Sequence, residues 1–177
     1  MIGDKLGGFI RRKLGVQVSV PAAKPEPKAA PTPPPDLDES RDLAHCHPVL
    51  QRRYGRLKAE YEARTGKQLF ETCTFRSRKK QAELHQIGRR GIPGEKPVTN
   101  ADGVSSLSRH NAYPAEGLDV AVDLDPGPGR KVSWAAEDYA LLGPLAADFG
   151  LVWGGDWKSI KDRPHLELPP GATEEAA

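Results

Sequence analysis

The chain has 177 residues, of which 37% are hydrophobic and 6% aromatic, with 17 prolines and 18 glycines, so one domain is expected and part of the chain lies outside any packed core. Its 26 basic and 24 acidic residues leave a formal charge of +2, which argues against a dedicated nucleic-acid binder. No apolar run reaches the roughly 18 residues of a membrane-spanning helix, the opening MIGDKLGGFIRRKLG lacks the apolar core of a secretory signal, and two cysteines, Cys46 and Cys73, cannot build a disulfide scaffold.

In residues 1–20, Ile2, Leu6, Phe9, Ile10 and Leu14 recur at helical spacing among Lys5, Arg11, Arg12 and Lys13. The pattern predicts a short basic amphipathic segment suited to peripheral contact with an anionic membrane. Gly3, Gly7, Gly8 and Gly15 weaken that helix and fit a frayed tail or a docking peptide instead. Residues 21–39 read as a linker, because seven of the fifteen residues in PAAKPEPKAAPTPPP (21–35) are proline. Proline fixes φ and removes backbone donors, so the stretch is extended and semi-rigid. The folded zone is 40–170, and a short acidic tail, 171–177, follows.

Within the folded zone, Pro48 opens a helix at its first turn. Val49, Leu50, Tyr54, Leu57 and Tyr61 then keep helical spacing up to Gly66. Leu69–Phe75 (LFETCTF) reads as a strand and Arg78–Gly88 as a second helix. Residues 89–108 are glycine-rich and polar, a loop long enough to suggest function. Gly117–Leu124 (GLDVAVDL) alternates as a strand should. Trp134–Phe149 reads as a third helix, and Leu151–Trp153 and His165–Leu168 as short strands. The class is α+β.

Five histidines are present, and a catalytic zinc site typically takes three protein ligands, so convergence is the question. His110 ends the long loop, and Asp119 follows nine residues later inside the alternating strand. Pro164 disfavours helix at Arg163, so Asp162 and His165 belong to a bend followed by a strand, both aimed at one cleft. No HExxH helix and no CxxC pair occurs. His45 and His47, near a helix start, read as caps or surface groups. Cys46 and Cys73 read as small buried side chains.

Taken together, Ser108-Arg109-His110-Asn111, Pro114 through Ala121 (PAEGLDVA), Trp153-Gly154-Gly155-Asp156-Trp157 and Asp162-Arg163-Pro164-His165-Leu166-Glu167 resemble the M15 zinc peptidases. The branch most similar is the phage endolysins that act as L-alanyl-D-glutamate endopeptidases. Thr74-Phe75-Arg76-Ser77, Gln81, Leu84 and Gly88-Arg89 match that family's upstream strand and helix. The likeness spans about residues 40–168, in the family's order of motifs.

The resemblance implies a small antiparallel sheet flanked by helices, with one Zn²⁺ in a cleft, as in the M15 and hedgehog-like fold. It implies His110, Asp119 and His165 as zinc ligands, Asp162 as catalytic acid/base, Arg76 as a catalytic and substrate-binding contact to a carbonyl or carboxylate, and Ser108 as a substrate-binding residue. Trp153 and Trp157 would frame the cleft. Asp123 shares strand parity with Asp119 and is the alternative ligand. Glu167 shares parity with His165 and is placed to orient it.

The function so implied is zinc-dependent hydrolysis of the L-Ala–D-Glu bond of the peptidoglycan stem peptide. A D,D-carboxypeptidase or dipeptidase uses the same chemistry and is the alternative. A non-catalytic wall-binding virion module is the rival of another class. The expected partner is bacterial peptidoglycan, a monomer is the default expectation, and the chain is expected in the cytoplasm until its release to the wall, or in a particle.

Overall fold

The computed structural model describes residues 31–172. The basic segment expected at 1–20, the first part of the linker and the acidic tail from 173 lie outside the described residues.

Helix α1 (Pro48–Thr65) starts where proline costs nothing, at the first turn, with His47 Nδ1 accepting from Val49 N at 3.3 Å. It stops at Gly66, whose φ of 69° is left-handed and closes the helix through a bond to Glu62 O. Its apolar stripe, Val49, Leu50, Tyr54, Leu57 and Tyr61, is buried along its whole length. Each such large side chain contributes roughly 1.5–3 kcal/mol by leaving water.

Strand β1 (Gln68–Cys73) follows, then α2 (Arg78–His85), capped by Ser77, whose Oγ accepts from Lys80 N. A stretch without regular structure leads to a 3-10 turn at Arg109–Asn111 and to β2 (Gly117–Asp123). Next come β3 (Val132–Ser133), α3 (Ala136–Tyr139), α4 (Leu142–Asp148), β4 (Val152–Trp153), a 3-10 turn at Gly154–Asp156, and β5 (His165–Glu167).

The strands form a five-stranded antiparallel sheet in the order β1-β2-β5-β4, with β3 also on β2. Because Asp119 pairs with Cys73 on one side and His165 on the other, β5 lies on the edge of β2 opposite β1. Strand β2 is buried on both faces. Leu118, Val120 and Val122 join the α1 and α4 side chains in the core. Asp119, of the opposite parity, faces the other way. The sheet thus has one face for stability and one for chemistry.

The single helix expected over Trp134–Phe149 is a correction. The chain instead pairs briefly as β3, forms α3, and restarts as α4 after a turn at 140–141. Pro144 has no N–H to bond a carbonyl one turn earlier, so a continuous helix through Ala140 is blocked. The second helix also ends at His85 rather than at Gly88.

Candidate metal centre and cleft

His110 arrives on the 3-10 turn, which Ser108 and Asn111 hold by a reciprocal cap: Ser108 Oγ accepts from His110 N at 3.3 Å and Ser108 N donates to Asn111 Oδ1 at 2.8 Å. Asn111 Nδ2 also donates to Arg76 O at 2.8 Å, pinning the turn to the end of the β1 segment. Asp119 sits mid-β2, and His165 opens β5 directly opposite it. Gly117 lets the turn and the last strand close up: a Cβ there would lie 2.9 Å from Arg109 Cβ and 3.0 Å from His165 Cε1. Gly154 does the same for the 162–165 bend, where a Cβ would meet Asp162 O at 2.4 Å.

The result is a tight triangle. His110 Nε2 is 3.1 Å from Asp119 Oδ1, His165 Nδ1 is 2.9 Å from the same oxygen, and the two ring nitrogens are 3.2 Å apart. The outer nitrogens are occupied. His110 Nδ1 lies 2.6 Å from Thr74 O, a pure acceptor, so Nδ1 carries the proton and Nε2 presents its lone pair inward. His165 Nε2 donates to Glu167 Oε2 at 3.0 Å, which turns Nδ1 inward. A tetrahedral zinc with bonds of about 2.0–2.1 Å has ligand–ligand edges of about 3.3 Å. Two imidazoles and a carboxylate at these separations, each imidazole with its outer nitrogen on an oxygen acceptor, fit such an ion.

The electrostatics agree. Burial alone would raise the Asp119 carboxyl, but His110 and His165 hold it well below the usual carboxylate range. Burial alone would lower His165, yet the carboxylates of Asp119 and Glu167 push it up to about 9. A cation in the triangle takes the place of that proton. Asp162 lies beside the triangle; one of its oxygens falls within 4.8 Å of ligand atoms of Asp119 and His165. Burial first, and the charge of Asp119 second, raise its carboxyl.

A cavity of about 620 Å³ opens on this cluster. Arg76, Ser108, His110, Asp119, Asp162 and His165 all line it, with Leu84, Ile87, Val98 and Leu107 as apolar wall. The long loop expected at 89–108 supplies Val98 and Leu107 of that wall, and α2 with the turn after it supplies Leu84 and Ile87. Trp157 packs against the His165 ring at 4.9 Å between centroids and lines the cavity. Trp153 donates Nε1–H to Arg163 O at 2.7 Å, supporting the bend from behind.

Asp123 does not join this group. It sits at the far end of β2, where its Oδ1 accepts from Asp125 N at 3.2 Å and Lys131 N at 2.9 Å. His47 caps α1, and His45 pairs with Ser40 Oγ at 2.7 Å. Cys46 and Cys73 are both buried and free.

Three neighbours of the site were given no role in it by the sequence, although Gln81 is among the residues that carry the family likeness. Cys73 Sγ lies 3.7 Å from His110 Nδ1, burial pushes its thiol up to about 12, and its sulfur lies within 4.8 Å of ligand atoms of His110 and Asp119. Gln81, fully buried, accepts from Arg76 Nη1 at 3.2 Å and donates to Thr99 Oγ1 and Ala101 O, tying α2 to the cleft wall. Its inward position on α2 was the available signal. The third is Glu39, 3.6 Å from Arg76 Nε.

The chain is similar to known proteins. The M15 peptidase family model described as D-alanyl-D-alanine carboxypeptidase matches residues 102–168, a span that holds His110, Asp119, Asp162 and His165. The peptidoglycan L-alanyl-D-glutamate endopeptidase CwlK of Bacillus subtilis is 34% identical over 144 residues, covering 76% of this chain and 78% of that protein. The Serratia marcescens L-Ala D-Glu endopeptidase ChiX, a crystal structure, superposes with a TM-score of 0.51 at 26% identity, covering 72% of this chain and 83% of its own.

Proposed function

The chain belongs to the M15 peptidase family and is a metallopeptidase of it, and from that premise we propose that it hydrolyses the L-Ala–D-Glu bond of the peptidoglycan stem peptide at a zinc site made by His110, Asp119 and His165. The observation that carries this reading is the triangle of His110 Nε2, Asp119 Oδ1 and His165 Nδ1, with edges of 2.9–3.2 Å, in the lining of the cavity.

When bound there, zinc supplies a Lewis acid that polarises a water and the scissile carbonyl. Asp162 acts as the proton carrier. Its raised carboxyl accepts a proton from the attacking water more readily than an ordinary aspartate and returns it to the leaving amine. Arg76 presents a permanent cation in the cleft lining, 3.3 Å from Asp119 Oδ2, and steadies the substrate carbonyl as negative charge builds on it. Ser108 lines the cleft while its hydroxyl caps the turn beneath His110, so its part in substrate contact runs through that turn. The apolar wall displaces water from the peptide and strengthens each of these interactions.

Both named relatives are L-Ala–D-Glu endopeptidases, which favours that bond. The family description favours a second reading, removal of a terminal D-Ala. Digestion of purified peptidoglycan followed by mass spectrometry separates them. The first gives stem fragments with a new D-Glu amino terminus; the second gives free D-Ala. Neither product forms in a chelator-treated sample. Equal digestion with and without chelator would remove the metal mechanism.

A further inference from the structure

Arg76 is gripped along its guanidinium. Nη1 donates to Gln81 Oε1 at 3.2 Å, and Nη2 donates to Cys73 Sγ at 3.2 Å and Asp119 Oδ2 at 3.3 Å. Nε differs: it is buried and has no hydrogen-bond partner among the described residues. What it faces is Glu39 Oε1, at the ion-pair distance of 3.6 Å. Buried donors are normally satisfied, so this one calls for a reason.

Glu39 is brought there by its backbone. Residues 38–40 run antiparallel to the chain leaving β1: Ser40 N donates to Phe75 O at 2.9 Å, Thr74 N to Ser40 O at 2.7 Å, and Ser77 N to Asp38 O at 2.7 Å. These bonds set Glu39 directly opposite Arg76. Opposed residues of an antiparallel pair share a face, so the two side chains meet. Asp38 secures the register, accepting from Ser77 Oγ at 2.8 Å. On its other side Arg76 N donates to His110 O at 3.0 Å. The Arg76 backbone is therefore shared between the Glu39 stretch and the turn that carries His110.

We propose that Glu39, on the stretch that the sequence assigns to the linker, is a positioning residue for Arg76: its carboxylate holds the Nε edge and so fixes the guanidinium in the orientation that sets Nη1 on Gln81 and Nη2 on Cys73 and Asp119 beside the cleft. This deepens the peptidase reading of the cleft and rests on it. Glu39 is 42% exposed, so water screens the pair and the effect is modest.

Glu39→Gln keeps the shape and removes the charge. With a soluble stem peptide as substrate, kcat falls about 5-fold, the upper range for a partly exposed ion pair, while KM, bound zinc and melting temperature stay at wild-type values. On an Arg76→Gln background, Glu39→Gln adds no further loss, because the group it positions is gone. By NMR, the Arg76 Nε–H exchanges with solvent faster in Glu39→Gln than in wild type. A wild-type kcat in Glu39→Gln, or the same loss repeated on the Arg76→Gln background, overturns the inference. If wild type leaves stem peptides uncut, the peptidase reading falls and takes this inference with it; an active wild type with a silent Glu39→Gln removes the inference alone.

Discussion

Glu167 decides which nitrogen of His165 faces the cleft. By accepting from Nε2 at 3.0 Å it leaves Nδ1 for the triangle. Removing its charge loosens the ring and lowers the basicity of the inward nitrogen, so Glu167→Gln should weaken zinc affinity by about 10–100-fold. Competition with a chromophoric chelator measures this. Asp162 has a different task, and Asp162→Ala should cost about 10²–10⁴-fold in kcat while zinc stays bound. Activity and metal content from one preparation check both halves. At this scale the sequence was informative about identity and weak on distance. Asp119 and Asp123 share a strand face, so alternation could not separate them. They stand about 13 Å apart at the usual rise per residue, which is what leaves Asp123 to its turn. The parts played by Glu39 and Gln81 were hidden for another reason: their contacts reach Arg76 through pairing and burial that no local spacing encodes.

Helices α3 and α4 show how an apolar pattern can run on through a break. The stripe from Trp134 to Phe149 continues, yet Pro144 forbids the bond that would join its halves. Strand β3, two residues long, was too short to leave a periodic signal. It is held through Asp138, which takes Lys67 and Ser133 on its two carboxylate oxygens. Lys67 first, and Ser133 with it, lower the Asp138 carboxyl below its ordinary value. A lowered folded-state pKa stabilises above the unfolded value of about 3.9, and that contribution is lost as pH falls toward the folded one. The melting temperature of wild type should therefore exceed that of Asp138→Asn by a constant margin above about pH 5, and the margin should shrink on further acidification. Thermal melts of the two proteins between neutral pH and pH 3 test the sign. By contrast, α1 was fully legible, since proline, stripe and glycine all mark the same boundaries.

For the molecule as a whole, the sheet divides the labour. Its core face, shared by α1, α4 and the even residues of β2, supplies stability. Leu57 is fully buried there, so Leu57→Ala should cost about 2–5 kcal/mol in denaturant unfolding while the remaining folded protein still holds its metal. The other face carries the chemistry. Pairing of β2 with β5 sets Asp119 opposite His165, which unites residues 46 positions apart. That register, with the capped turn under His110, is the fold's contribution to catalysis. The order of motifs along the chain announced it, and only the register gave it geometry. Metal content by elemental analysis is the most direct measurement. Wild type and Asp123→Ala should each carry one zinc per chain, and Asp119→Ala should carry almost none. An Asp119→Ala protein that keeps a full equivalent of zinc would contradict the account.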